Sequence, residues 1–149
     1  MKNKILVAVD ISENTAGIIG QALILAKKLD ASVVISSIIP IYVDYLQAQM
    51  ALVPTQWDEL YQGQKELALK ELTKIKDQHP YQIISLDVQV GNPKYDIIEK
   101  AEQEKVNYIV MGTHGHTGLT HVVLGSTAEY IIRHSKVPVL VVPMNTNSH

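Results

Sequence analysis

The chain has 149 residues, a formal charge of −2 and no cysteine. This length suits one core, so we expect residues 1–149 to form a single domain with a frayed tail at 144–149. The near-neutral charge disfavours nucleic acid and anionic membranes as partners, and the lack of cysteine excludes disulfides and thiolate metal sites. No apolar run has the length of a signal-peptide core or a membrane span, which predicts a cytoplasmic protein.

The first half of the chain alternates apolar runs with segments of helical period. Residues 4–10 predict a strand covered on both faces, and residues 13–29 predict a helix with a broad buried face. A second strand follows at 32–39 and a second helix at 55–78. The apolar segment 41–56 between them has no assignable period, and both a flap and an interface are open interpretations.

The second half continues the alternation. Residues 82–90 predict a third strand with one wet face, at an edge of the sheet, because four apolar residues alternate there with polar ones: Ile84, Leu86, Val88 and Val90. Asn92 and Pro93 are typical of a helix start, and that helix continues to about residue 105. A fourth strand, a fourth helix and a fifth strand are predicted at 107–112, 126–135 and 137–142. This order favours a doubly wound parallel sheet.

In such a sheet, ligands bind beyond the carboxyl ends of the strands, where the strand order reverses. The stretch MGTHGHTGLTHVVLGSTAEY, residues 111–130, begins at one of these ends and holds half of the chain's 8 glycines. Neither G-x-G-x-x-G nor G-x-x-x-x-G-K-[ST] is present. Instead Gly112-x-x-Gly115 is followed, after nine residues, by Gly125-Ser126 at the start of a predicted helix.

This spacing has two interpretations. Glycines permit positive φ and a close backbone approach to a ligand, and the free N–H groups of a helix start, with the Ser126 hydroxyl, favour a phosphate. However, Ser126 and Glu129 also have the spacing of a capping box, in which both side chains satisfy backbone donors. Spacing alone leaves a phosphate site and a structural cap equally open.

The stretch resembles the nucleotide-binding motif of the universal stress protein family, which reads G-x-x-G, nine residues, G-[ST]. Its fixed positions are occupied by Gly112, Gly115, Gly125 and Ser126. The resemblance extends over nearly the whole chain, through KILVAVDISEN, VGNPKYDIIEKAEQEKVNYIVMGTHG and VPVLVVP. It departs at Ile11, a variable position where the family often has glycine, and at Asn107, where it often has aspartate.

The resemblance implies an α/β fold of the adenine nucleotide alpha hydrolase-like type, a five-stranded parallel sheet of order 3-2-1-4-5 with helices on both faces. It also implies ATP, accompanied by Mg²⁺, as the ligand. Ala8 and Asp10 would border adenine and ribose, Ile38 and Met111 would flank the base, and residues 125–127 would hold the phosphate tail. The implied binding residues are Ala8, Asp10, Ile38, Met111, Gly112, Thr113, His114, Gly115, His116, Gly118, Gly125, Ser126 and Thr127.

Some of these residues have alternative roles. Asp10 would serve equally as a cap for the next helix, as would Ser12. His114 and His116 suggest a metal, but no carboxylate or cysteine accompanies them in the glycine loop, so backbone contact to the nucleotide is the favoured interpretation. A receiver-type phosphoacceptor is disfavoured, because the last strand carries no lysine at its exit. No catalytic residue and no metal ligand is identified.

The apolar last strand would lie at an edge of the sheet, where unpaired backbone groups invite association. We therefore predict an antiparallel homodimer through Val137, Pro138, Val139, Leu140, Val141 and Val142, in agreement with the assembly usual in the family. Alternatively, Pro138 and Pro143 protect the edge of a monomer.

The functional prediction is a homodimeric, ATP-binding stress sensor or regulator. The alternatives are a slow ATP hydrolase, with His114 or His116 orienting water, and a dimeric interaction protein without nucleotide.

Overall fold

The computed structural model describes residues 2–12, 14–41, 54–113 and 124–143. The strands in these ranges are β1 (Asn3–Ala8), β2 (Ala31–Pro40), β3 (Ile83–Gly91), β4 (Tyr108–Gly112) and β5 (Val139–Val142). The helices are α1 (Thr15–Leu29), α2 (Pro54–Gln78), α3 (Pro93–Gln103) and α4 (Ser126–His134). Each predicted strand and helix is present, and no end differs from the prediction by more than two residues. The predicted segment 41–56 and the tail 144–149 lie largely or wholly outside the described residues.

The five strands form one sheet in the order β3-β2-β1-β4-β5, and every pair of neighbours is parallel. The predicted fold class and strand order are thus confirmed. Ile5, Leu6 and Val7 of β1 are wholly buried, as an uninterrupted apolar run requires in a strand with helices on both faces. The sheet therefore depends on its central strand for both halves of its core.

Two hydrophobic clusters fill the two faces of the sheet. On one face, side chains of α1 and α2, including Ile19 and Leu72, pack against Ile5 and Val7. On the other face, side chains of α3 and α4 pack against the alternate residues of the same strands. No helix in the described ranges combines the length and apolar character needed to cross a membrane.

Strand β3 lies at an edge, as predicted, but its alternation has a break. Val33 of β2 pairs with Ile83 and the next residue pairs with Ser85, so Ile84 is the extra residue of a β-bulge. Ile84 is 48% exposed, whereas Ile83 is wholly buried. The prediction that Ile84 shares the buried face of Leu86 and Val88 is therefore wrong, because the bulge shifts the phase of the pattern by one residue.

Helix α3 has a defined signal at each end. The Asn92 side chain caps it by accepting from the Lys94 N–H at 3.1 Å, and Pro93 occupies its first turn, both as predicted. At the other end, the N–H groups of Lys105 and Val106 donate to carbonyls of the last turn, in the pattern of a Schellman motif. Lys105 takes the left-handed conformation there, with φ 53°, where most helices use glycine.

A charged cluster joins α3 to the amino end of β1. Glu104 accepts a hydrogen bond from Lys4 Nζ at 3.3 Å and lies 3.4 Å from Lys100 Nζ. The hydrogen bond from Lys4 lowers the pKa of Glu104 below its ordinary value; burial opposes this shift and Lys100 reinforces it. Since the pKa is lower in the folded state, the ionised carboxylate stabilises the fold above the unfolded pKa, and this contribution is lost as the pH falls through the folded pKa.

Replacing Glu104 is expected to destabilise the protein in a pH-dependent way. Glu104→Gln should lower the free energy of unfolding at pH 7 by about 0.5 to 1 kcal/mol, because a partly exposed ion pair contributes about that much. The difference from wild type should shrink as the pH falls below the usual glutamate pKa of about 4.3. Urea unfolding at several pH values measures the loss of stability at pH 7 and its decrease at low pH. Glu71→Gln, which removes an exposed pair with Lys74, is the control, and a pH-independent difference for Glu104→Gln would contradict the account.

Candidate functional site

The carboxyl edge of the sheet contains the point where the strand order reverses. Ala8, the last residue of β1, pairs with Ser36 of β2 on one side and with Met111 of β4 on the other. From β1 the chain passes to α1 on one face, and from β4 it passes to α4 on the opposite face. Where two connections leave a parallel sheet for opposite faces in this way, a ligand usually binds beyond the strand ends.

Three residues predicted to contact a base lie together beneath this edge. Ala8, Ile38 and Met111, on three neighbouring strands, are each at least nine-tenths buried and belong to one hydrophobic cluster on the face of α3 and α4. Their burial makes the floor of the edge apolar. These three positions offer no charged side chain of their own.

The turn between β1 and α1 is closed by Thr15. Its hydroxyl donates to the carbonyl of Asp10 at 2.7 Å and accepts from the N–H of Ser12 at 2.9 Å. The helix cap is Asn14, so neither Asp10 nor Ser12 takes the capping position that the sequence left open to them. The sequence analysis missed Thr15, although the S-x-x-T spacing after a strand is a signal for such a turn.

The start of α4 excludes one of the two interpretations of Ser126. The cap is Gly125, and Ser126 is the first helical residue. The carboxylate of Glu129 lies 2.8 Å from Arg133 on the solvent side of the helix. The capping-box interpretation of Ser126 and Glu129 is therefore wrong. No side chain in the described part of the chain caps this helix, and the N–H groups of its first turn are the kind of donors that an anion can use.

Thr113 connects α4 to two strands. Its carbonyl accepts from the N–H of Gly125 at 2.7 Å, and its own N–H donates to the carbonyl of Val142 at 3.1 Å. These bonds hold the start of α4 against the carboxyl ends of β4 and β5. The Thr113 side chain is 4% exposed, and its hydroxyl has no hydrogen-bond partner within the described structure.

The glycines at this edge are not explained by backbone strain. No glycine of the described residues has a positive φ, and Gly125 has φ −68°. Positive φ, which is one of the two properties that glycine permits, therefore does not account for Gly112 and Gly125. Close approach of a ligand to the backbone is the remaining reason of the two that the sequence analysis gave.

The structure brings together nine of the thirteen predicted binding residues at this edge, on the ends of β1, β2 and β4 and the start of α4: Ala8, Asp10, Ile38, Met111, Gly112, Thr113, Gly125, Ser126 and Thr127. The other four, His114, Gly115, His116 and Gly118, lie outside the described residues. Within the ranges that the structure describes, no three histidine or acidic side chains converge in a way that could hold a metal ion.

The topology defines a doubly wound α/β protein in which helix α4 begins beside the switch point of the sheet. The model of the universal stress protein family matches residues 1–143. The chain belongs to the universal stress protein family.

Relatives and solved structures agree with this membership. Universal stress protein MJ0531 of Methanocaldococcus jannaschii is 34% identical over 143 residues, which cover 93% of this chain and 81% of the relative. YxiE of Bacillus subtilis is 30% identical over 150 residues, covering 95% and 99%. The structure of MJ0577, also from M. jannaschii, superposes with a TM-score of 0.79 at 28% identity and covers 97% of this chain and 98% of that one.

Replacing the Thr113 hydroxyl is expected to stabilise the protein. Thr113→Val keeps the shape of the side chain and removes a buried group without a partner, so the free energy of unfolding should rise by about 1 kcal/mol. Denaturant unfolding measures the change, with Thr113→Ser as the control that retains the hydroxyl. A loss of about 1 kcal/mol in Thr113→Val would instead mean that the hydroxyl is bonded within the protein.

Proposed function

We propose that this chain binds ATP at the carboxyl edge of its sheet and acts as a homodimeric, stress-linked sensor in the cytoplasm. The observation that carries the proposal is the start of α4, where uncapped N–H groups and the exposed Ser126 lie next to the end of β4. A phosphate accepts several hydrogen bonds and carries negative charge, so it suits free donors at the positive end of a helix.

The other residues of this edge fit the rest of a nucleotide. The apolar floor of Ala8, Ile38 and Met111 suits the base, and the carboxylate of Asp10, at the exit of β1, suits the ribose hydroxyls. Gly112 and Thr113 would follow the ribose and phosphates, and the proposal extends to the four binding residues outside the described ranges. Ser126 and Thr127 would supply the N–H groups of the phosphate site, and Gly125, whose own N–H donates to Thr113, would permit the close approach of the phosphate.

Mg²⁺ belongs to the proposal because a triphosphate normally binds with a divalent ion that prefers oxygen ligands. One solved universal stress protein, similar to this chain in fold at 19% identity and a TM-score of 0.56, is a complex with cAMP. A cyclic nucleotide is therefore a useful competitor to ATP in binding experiments.

Slow hydrolysis would need a base at the terminal phosphate, and the two candidates, His114 and His116, lie outside the described residues.

The nucleotide proposal predicts a specific loss in Ser126→Ala. A hydrogen bond to a charged group contributes about 1.5 to 3 kcal/mol, so the variant should bind ATP–Mg²⁺ roughly tenfold more weakly or worse, as measured by isothermal titration calorimetry. The cost in stability should be small, because Gly125 and not Ser126 caps the helix.

Ser135→Ala is the matched control, since it makes the same substitution at the opposite end of α4 and should leave ATP affinity unchanged. Mass spectrometry of small molecules released from the denatured wild-type protein provides an independent readout. If no adenine nucleotide is released and added ATP gives no binding heat, the chain is a nucleotide-free interaction protein and the proposal fails. Binding of cAMP alone would replace ATP with a cyclic nucleotide as the ligand.

The homodimer is proposed through β5. This strand lies at the edge of the sheet, its residues are partly exposed, and Leu140 is 42% exposed. An apolar edge strand of this kind is protected when it pairs with a second copy. The sensor role follows from the bond between Thr113 and Val142, which connects the proposed phosphate site to the proposed interface.

The dimer proposal predicts that Leu140→Asp is a monomer. A carboxylate on the paired edge would be desolvated in the interface, so sedimentation equilibrium should give half the mass of the wild type. Leu67→Asp, at a 58% exposed position on α2, introduces the same charge elsewhere and should keep the wild-type mass. An unchanged mass for Leu140→Asp, or a monomeric wild type, would refute the interface.

A further inference from the structure

A concavity of about 380 Å³ lies at the amino edge of the sheet, opposite the proposed nucleotide site. It lies between the end of α3 and the connection from α4 to β5. Its apolar lining comes from Ile98, Ala101, Val106 and Val137, of which Ala101 and Val106 are buried. Its volume is within the range of pockets that hold small molecules.

Lys105 lines this concavity from a backbone conformation that does not favour lysine. Its φ of 53° lies in the left-handed region, at the position after a helix where glycine is the usual residue. A charge for the end of the α3 dipole is already present, because Lys100 lies in the last turn. Helix termination therefore explains neither the residue type nor its charge.

Lys105 also differs from the other lysines nearby in its pairing. Lys4 and Lys100 both contact Glu104, and Lys136 lies 3.2 Å from Glu102 on the rim of the concavity. No ion pair or side-chain hydrogen bond involves Lys105 among the residues that the structure describes. The concavity thus combines an apolar floor with a lysine that has no partner among the described residues.

We propose that this concavity binds a small carboxylic acid with a short aliphatic chain. The carboxylate accepts from Lys105 Nζ, and the chain covers the apolar floor of Ala101, Val106 and Val137. Charge complementarity decides the class of ligand: with Glu102 paired to Lys136, the uncompensated side-chain charge at the rim is positive. Two helix ends nearby carry partial negative charge, but a full charge on a mobile lysine can reach the ligand directly.

Hexanoate is a suitable probe, with hexan-1-ol and hexylammonium as matched ligands of the same chain length. Titration of the ¹⁵N-labelled protein should give saturable amide shifts centred on Ala101, Val106 and Val137. We expect hexanoate to bind roughly fivefold more tightly than hexan-1-ol, because only the carboxylate forms a charge-assisted hydrogen bond. Hexylammonium should bind most weakly of the three.

Two substitutions of Lys105 separate the binding role from a structural one. Lys105→Gln should reduce hexanoate affinity about fivefold, to the level of hexan-1-ol. Lys105→Gly should lose the same affinity while raising Tm, since glycine relieves the left-handed backbone. Lys70→Gln, on an exposed part of α2, makes the same change of net charge and should bind hexanoate as the wild type does.

Three results would overturn the proposal. The first is the absence of saturable shifts at the three amides, and the second is wild-type hexanoate affinity in Lys105→Gln. The third is hexylammonium binding as tightly as hexanoate, which would mean that Glu102 and the helix ends determine the charge of the ligand. Because the concavity and the nucleotide site lie at opposite edges of the sheet, each of these results is independent of ATP binding.

Discussion

One peptide hydrogen bond, from the Gly125 N–H to the Thr113 carbonyl at 2.7 Å, joins the start of α4 to the end of β4. A helix start can bind an anion only if its donors are fixed next to the rest of the ligand site, and this bond fixes them. The N–H of the same threonine donates to Val142, so the edge strand β5 is attached to the same point. A ligand at α4 and a partner at β5 would thus both act on Thr113. This residue would physically connect the proposed nucleotide site to the proposed dimer interface.

The fold beneath this contact was largely predictable from sequence, because its inner strands are apolar on both faces and its helices on one. Asn107 illustrates how such a fold tolerates change: its side chain accepts from the Lys4 N–H at 2.8 Å, a role that the aspartate usual in the family could also fill. Ile84 could not be placed, because a bulge moves one residue to the other face without altering composition. The strand order required the family resemblance, since parallel apolar strands carry no local signal for their neighbours.

The site was predictable in position but less so in detail. Strand ends and glycines indicate where a ligand binds, yet S-x-x-E has the same spacing whether the serine is the cap or the first helical residue. Only the backbone at Gly125, and the pairing of Glu129 with Arg133, separate these cases. Lys105 could not be singled out from the sequence, because a lysine after a helix is ordinary there. The structure adds its φ of 53° and the lack of an ion pair to it among the described residues.

The central claim is that the start of α4 is a phosphate site beside an apolar base site. The most direct test is the map of ¹H–¹⁵N amide shifts when ATP–Mg²⁺ is added to the wild-type protein. The account predicts saturable shifts that are largest at Ser126 and Thr127, because bound phosphate would polarise their N–H groups, with smaller ones at Gly112, Thr113 and Gly125. Saturable binding with no shift at Ser126 and Thr127, or no binding at all, would contradict it.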